Sequence, residues 1–185
     1  MIESTEKYRR ELRRLESGPT TYERPSGIGT VNFIARCPIG SPEVLDKVKS
    51  VLKAVDDVVI NDGWLSDEGW KTKLPEWFVA ACGPAETREE AEESLALWRA
   101  LPPDEQDRVR REENWSVEDW IYCLQPENRY WFWWDAKSLD DLDHIIVAVE
   151  TDDWPFPWDE MRWLFLAAGA SSLDSEGEVN STGQP

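Results

Sequence analysis

The chain has 185 residues, of which 41% are hydrophobic and 31% charged, and this composition is typical of one folded domain with a continuous core. Its 38 acidic and 20 basic side chains give a net charge of -18 and a pI near 4.4. Such a field repels nucleic-acid phosphates and anionic lipid and attracts basic proteins. We therefore expect a basic protein partner, and no direct contact with nucleic acid or membrane.

The cysteines and the start of the chain predict a cytoplasmic protein. Cys37, Cys82 and Cys123 are odd in number, widely spaced and set in apolar surroundings. Such residues are typical of reduced thiols in a reducing compartment, and no Cys-x-x-Cys pair indicates a zinc or redox site. The first residues include no apolar leader segment, and no run reaches the roughly 20 apolar residues of a membrane span.

Residues 1–24 are predicted to form an N-terminal amphipathic helix and a linker. Tyr8, Leu12 and Leu15 recur at helical spacing among mixed charges, and a Gly-Pro pair ends the pattern. This pattern allows the helix either to dock on the body of the protein or to extend free of it.

A strand and a long helix are predicted next. Residues 30–37 alternate apolar and polar side chains, as a half-buried strand does. Residues 44–55 carry one continuous apolar stripe at helical spacing, and a Ser-Pro-Glu sequence before them is typical of a helix start. The apolar run 58–60 is compatible with a further short strand.

Residues 64–125 have a helical composition, rich in Glu, Arg, Ala and Trp and interrupted by Gly-Pro and Pro-Pro pairs. The sequences that begin at Thr87 and Ser116 resemble capping boxes at helix starts. We expect three or four short helices here, with single tryptophans as anchors in the core.

Two more strands are predicted at 130–135 and 144–150, followed by a helix at 158–168. Residues 171–185 include no aromatic residue and only two aliphatic ones, so they are predicted to be a disordered tail. The single α+β domain then spans residues 25–170.

The order of these elements predicts an α+β fold with a small antiparallel sheet of three or four strands covered by helices. A helical insertion at about 64–125 separates the first helix of the domain from the C-terminal hairpin. The fourth strand is either absent or supplied by residues 58–60.

The sequence RYWFWWDAK, residues 129–137, is predicted to be a strand with two aromatic faces. Alternation puts Tyr130, Phe132 and Trp134 on one face and Trp131, Trp133 and Asp135 on the other. A sheet covered on one side normally alternates apolar and polar residues. The second face is therefore either covered by the helical insertion or an exposed aromatic ledge.

Acidic and aromatic residues are concentrated between Asp135 and Glu160, where nine carboxylates face a single lysine. Carboxylates beside rigid aromatic rings bind arginine and lysine through charge-assisted hydrogen bonds and cation–π contacts. The residues predicted to bind a partner are Asp135, Glu150, Asp152, Asp153, Trp154, Phe156, Trp158 and Asp159. The alternative interpretation is a solvated acidic edge whose aromatic residues only fix a loop.

The sequence includes no strong catalytic or cofactor motif, so we expect neither enzyme activity nor a cofactor. His144 is the only histidine and lies at the start of a predicted strand, where a structural role is expected. A divalent-metal-dependent enzyme that uses Glu150, Asp152 and Asp153 is an alternative, because some enzymes hold Mg²⁺ with acidic residues just past a strand end.

The main functional hypothesis is an acidic cytoplasmic module that binds a basic protein such as a toxin or a nuclease. Immunity proteins that neutralise bacterial toxins have this general size and charge, which is an analogy of composition. A DNA-mimic inhibitor of a nucleic-acid-binding protein and a structural adaptor are further alternatives.

Overall fold

A computed structural model of the chain describes residues 2–112, 114–139 and 143–176. These residues form an α+β fold of eight helices and four strands. In chain order the elements are α1 (Ile2–Ser17), β1 (Gly29–Arg36), α2 (Ser41–Asn61), α3 (Asp67–Lys73), α4 (Glu76–Ala81), α5 (Arg88–Ala100), α6 (Pro103–Glu112), α7 (Val117–Cys123), β2 (Trp131–Ser138), β3 (His144–Thr151), α8 (Asp159–Ala168) and β4 (Ser172–Ser175). The predicted fold class is confirmed, with α3 to α7 as the helical insertion.

The four strands form one antiparallel sheet in the order β2-β3-β1-β4. β1 pairs with β3 along its whole length, with Gly29 opposite Thr151 and Arg36 opposite His144. β2 and β4 are the two edge strands. The loop between β3 and α8 therefore begins at the end of a central strand.

The fourth strand, β4, lies where a disordered tail was predicted, so that prediction is wrong for this short segment. Leu173 is buried opposite Ala35, and the backbone of Ser172–Ser175 pairs with the second half of β1. One apolar side chain and a few ladder hydrogen bonds suffice to order these residues, and neither leaves a strong pattern in the sequence. The rest of the predicted tail, 177–185, lies outside the described residues.

Helix α2 packs its apolar stripe against the face of the sheet that holds Phe33 and Val147. Its buried apolar residues are Val44, Val48, Val51, Leu52, Val55 and Val58. Residues 58–60 continue this helix, so the short strand considered for them is wrong. Burial of Val58 on the same stripe outweighs the weak preference of β-branched residues for strands.

The insertion divides into a packed part and a projecting part. Trp70 on α3, Phe78 on α4 and Trp120 on α7 are fully buried. By contrast, α5 buries no residue, and none of the described side chains of α6 is buried. The insertion therefore includes five helices where three or four were predicted, and two of them stand apart from the core.

Helix α1 docks on the body, beside α2 and the edge strand β2. Tyr8 and Leu15 are fully buried. The backbone N–H of Trp133 donates to the carboxylate of Glu11, and its carbonyl accepts from Arg14 Nη1 at 3.2 Å. Exposed strand edges invite pairing with other chains, and α1 occupies this edge at Trp133.

No helix among the described residues has the length and apolar character that would be needed to cross a membrane.

Candidate functional site: an acidic and aromatic surface

The aromatic strand β2 is buried on both faces at its start. Trp131 and Trp133 point to the core, while Phe132 points the other way and meets the ring of Tyr8 edge-on, with the centroids 5.4 Å apart. The second face is thus covered by α1 and not by the helical insertion. Sequence alternation could not reveal this, because the covering residues lie more than 100 positions away in the chain.

A bulge then changes the direction of the strand. The pairing with β3 shifts between Trp133 and Asp135, so Trp134 is an extra residue in the ladder. Trp134 is half-buried, and the guanidinium of Arg14 lies 4.2 Å from the centroid of its ring. Asp135 is exposed on the far side of the bulge.

Glu150 is buried and its carboxylate already has cationic partners. Arg14 Nη2 donates to it at 2.8 Å and Arg10 Nη2 at 3.4 Å, while Ser26 Oγ donates to the other oxygen. A group so occupied is not available to a partner protein.

Asp152 is exposed but also has an internal partner, because Lys7 Nζ lies 3.0 Å from its carboxylate. Lys7, Arg10 and Arg14 all come from α1. At Glu150 and Trp134, a carboxylate and an aromatic ring hold a cation that the chain itself supplies. Binding of a partner's basic side chains stays a prediction.

The loop after β3 is where acidic and aromatic groups are exposed to solvent. Trp154 is 43% exposed, and its ring rests edge-on against Phe156 and Phe33 at centroid distances of 5.5 and 6.4 Å. The carboxylate of Asp153 accepts from the N–H of Trp154 at 2.8 Å, and the hydroxyl of Thr151 donates to the carbonyl of Asp153 at 3.0 Å. These contacts fix the loop and present Trp154 to solvent.

The eight predicted partner-binding residues thus separate by exposure. Asp135, Asp152, Asp153 and Trp154 are exposed, Trp158 and Asp159 are half-buried, and Glu150 and Phe156 are buried. Asp159 is paired with Arg162 at 2.6 Å.

Asp135 lies apart from the loop. It pairs with Ala148, four residues before Asp152 along β3, and four strand residues span roughly 13 Å. The structure therefore groups Asp152, Asp153 and Trp154 as one surface, which we call the acidic loop, and leaves Asp135 outside it.

The residues proposed for a metal site do not converge. Within the described parts of the chain, no group of three or more His, Cys, Asp or Glu residues has a suitable arrangement. Glu150 is held by arginines, and His144 lies at the opposite end of β3. The geometry gives the metal-enzyme alternative no support.

A buried charge cluster that sequence reasoning missed lies under α1. Glu11, Asp56 and the side chain of Arg129 are fully buried. Arg129 Nη2 donates to Glu11 at 2.8 Å, and its Nη1 lies 3.8 Å from Asp56. The sequence includes one indication of this cluster. Glu11 lies on the same helical face as Tyr8 and Leu15, where an apolar residue would be expected.

Two carboxyl groups, those of Glu11 and Asp56, share one arginine in this cluster. Burial raises the pKa of Asp56 well above its ordinary value, and the neighbouring charge of Glu11 raises it further. The raised pKa favours the protonated form of Asp56, while Arg129 pairs with Glu11.

Glu160 is a further buried carboxyl group. Its Oε1 accepts from Trp131 Nε1 at 2.6 Å, and its backbone carbonyl accepts from Trp120 Nε1 at 2.9 Å. Burial raises the pKa of Glu160 to about 7, although the hydrogen bond from Trp131 acts in the opposite direction.

The three cysteine thiols are free, and burial raises the pKa of Cys37 and Cys82 to about 11 and that of Cys123 to about 12. Nucleophilic chemistry by cysteine requires a thiolate. None of these residues is therefore suited to it at neutral pH.

Searches against protein-family models, curated proteins and solved structures found no match for this chain. The function has to be inferred from the surface itself.

Proposed function

We propose that the protein is an acidic protein-binding module that captures a basic protein partner through the acidic loop. The observation that carries the proposal is Trp154, which is 43% exposed although its ring rests on Phe156 and Phe33. An ordered, solvent-exposed tryptophan beside a carboxylate loses little conformational freedom when a partner covers it, and tryptophan is enriched among residues that dominate binding energy.

The interior of the molecule supplies a template for the contact. Arg14 lies over the ring of Trp134 at 4.2 Å while it donates to Glu150 at 2.8 Å. An arginine from a partner would have the same two kinds of group at Trp154 and Asp153. Cation–π and charge-assisted contacts of this kind favour arginine over uncharged side chains.

The charge of the whole chain supports the same proposal. A net charge of -18 attracts a basic protein over long range and raises the rate of association. An immunity-type inhibitor of a basic toxin or nuclease in the cytoplasm is the specific form of this proposal, because such an inhibitor has to bind its target quickly.

The test begins with a pull-down that uses the wild-type chain as bait and purifies a basic protein bound in stoichiometric amounts. The affinity of that protein is then measured for Trp154→Ala, for Asp153→Lys and for the control Asp46→Lys, which reverses an exposed charge on the solvent side of α2. We expect Trp154→Ala to weaken binding by about tenfold, the effect of losing one central aromatic contact.

Asp153→Lys should reduce the association rate, while Asp46→Lys should leave affinity nearly unchanged. Equal affinity of all three variants for the purified partner would show that the acidic loop is not the binding surface. If the association rate of the wild type with the partner does not depend on salt concentration, the electrostatic part of the proposal is wrong.

A further inference from the structure

Helices α5 and α6 form a hairpin, Arg88–Glu112, and the hydrogen bonds that join its described residues to the body lie near its base. Gly83 N–H donates to the carbonyl of Trp115 at 3.0 Å just before the hairpin, and Arg162 Nη2 approaches the carbonyl of Arg110 at 3.5 Å at its end. The two helices hold each other partly through Trp98, whose Nε1 donates to the carbonyl of Gln106 at 3.2 Å.

Apolar side chains on this hairpin face solvent. Leu97 is 65% exposed, Leu95 43% and Val109 37%. A helix as short as α5 is only marginally stable in water unless one of its faces is packed against another element. A partner that covers Leu97 would provide the packing that α5 lacks.

Leu97 lies in a surface groove of about 430 Å³, and glutamates flank it. The groove is lined by Glu86, Glu90, Glu93 and Ser94, together with Pro84 and Ala85. Glu90 is held in place because it forms the capping box with Thr87. The groove therefore combines one exposed apolar residue, Leu97, with the negative charges of three glutamates.

We infer that this groove binds an amphipathic basic helix of the partner, with an aliphatic side chain on Leu97 and lysine or arginine residues at Glu86 and Glu93. The charge of the rim excludes an acidic segment and disfavours a second copy of this acidic chain. Helix-in-groove recognition of this kind uses apolar anchors at i, i+3 or i+4 and i+7, with charges beside them. The inference rests on the proposed function in that the partner is basic, and it adds the shape that the partner presents.

The test uses two synthetic peptides of identical composition, rich in lysine and leucine. One places its leucines at i, i+4 and i+7, and the other has a scrambled order that spreads them around the helix. Affinities are measured by fluorescence anisotropy for the wild type, for Leu97→Asp and for Ala96→Asp. The Ala96→Asp control adds the same charge at the neighbouring exposed position outside the groove lining.

We expect the amphipathic peptide to bind the wild type more tightly than the scrambled one. Leu97→Asp should lower the affinity for the amphipathic peptide about tenfold, which is the effect of losing one buried leucine contact. This loss is expected although the substitution adds a charge that attracts the peptide. Ala96→Asp should not weaken it.

The inference is overturned if the two peptides bind equally or if Leu97→Asp binds as the wild type does. In that case the acidic-loop proposal still stands if Asp153→Lys has a lower affinity than the wild type for both peptides. If neither peptide binds the wild type, the groove inference also fails, whereas the acidic-loop proposal is decided separately by the affinity of the purified partner for Trp154→Ala and Asp153→Lys.

Discussion

Glu160 connects three parts of the molecule, because it lies in the first turn of α8, its carboxyl group accepts from Trp131 on β2, and its carbonyl accepts from Trp120 on α7. Burial raises the pKa of this carboxyl group from 4.5 to about 7 in the folded state. A raised pKa means that the folded protein binds the proton more tightly than the unfolded chain does. The contribution to stability is therefore fully present below pH 4.5 and is lost as the pH rises through about 7.

Replacing Glu160 with glutamine should remove this pH dependence. Glutamine cannot ionise, and its carbonyl oxygen still accepts from Trp131. As the pH rises from about 5 to about 8, we expect the free energy of unfolding of Glu160→Gln to increase relative to that of the wild type by up to about 3 kcal/mol. Urea denaturation across this range measures the difference.

The matched control is Glu93→Gln, which neutralises an exposed glutamate. Its unfolding free energy should run parallel to that of the wild type across the same pH range. A parallel course for Glu160→Gln as well would mean that the carboxyl group of Glu160 is ionised in the folded protein with an ordinary pKa.

Arg129 is the cation on which the buried cluster depends. In Arg129→Met, the carboxylate of Glu11 remains buried without its positive partner. Breaking a buried ion pair from one side typically costs about 3–5 kcal/mol, and we expect a loss of this size in chemical denaturation. A loss below about 1 kcal/mol would show that the pair contributes little.

A second substitution distinguishes the lost charge pair from lost packing. Glu11→Gln in the Arg129→Met background removes the unpaired charge but keeps an acceptor for the N–H of Trp133. We expect the double variant to recover part of the lost stability. If it is less stable than Arg129→Met, the main defect is in packing around Phe132, which lies 4.3 Å from the guanidinium.

The helices differ in how firmly they are held, and hydrogen exchange should show this. Helix α2 buries eight residues and α5 buries none. Local opening is easiest where few apolar contacts have to be broken. We therefore expect the amides of α5 to exchange much faster than those of α2 when both are followed by mass spectrometry.

Helix α8, which is packed on the core, is the internal control for this measurement. Its amides should be protected like those of α2. Equal protection of α5 and α2 would contradict the view that the hairpin lacks stabilising contacts, and it would weaken the case that a partner covers it.

Elements whose pattern is local could be predicted from the sequence. The apolar stripe of α2, the alternation in β1 and the capping box at Thr87 each lie within a dozen residues, and each is found in the structure. β4 was missed because it depends on pairing with a strand more than 130 positions earlier. No local window includes that information.

The chemistry of the site could be predicted in part. Acidic residues beside aromatic rings do bind basic side chains here, as Glu150 and Trp134 bind Arg14. The sequence could not show that α1 supplies those cations, because the position of a distant helix decides it. The acidic loop was found from its composition, whereas the buried cluster at Arg129 required coordinates.

At the scale of the whole molecule, the net charge of -18 opposes compaction through self-repulsion. Salt screens this repulsion, with a Debye length that falls to about 10 Å at 0.1 M. We expect the melting temperature at neutral pH to rise when NaCl is added. A fall would show that attractive surface pairs such as Lys7 with Asp152 outweigh the repulsion.

Magnesium chloride at the same ionic strength is the control for a specific metal site. It should raise the melting temperature no more than NaCl does, because Glu150 is held by Arg14 and Asp152 by Lys7. Additional stabilisation by Mg²⁺ would return the metal-dependent alternative to consideration.

Helix α1 also sets the order in which the molecule is completed during synthesis. Among the described elements it is made first, yet Glu11 pairs with Arg129 118 residues later and Arg14 pairs with Glu150 136 residues later. Contacts this distant in sequence slow folding, because a long loop has to close before they form. The nascent helix can pack on α2 early. It remains without Arg129 and Glu150 until β2 and β3 are made, so the edge of β2 is covered late in folding.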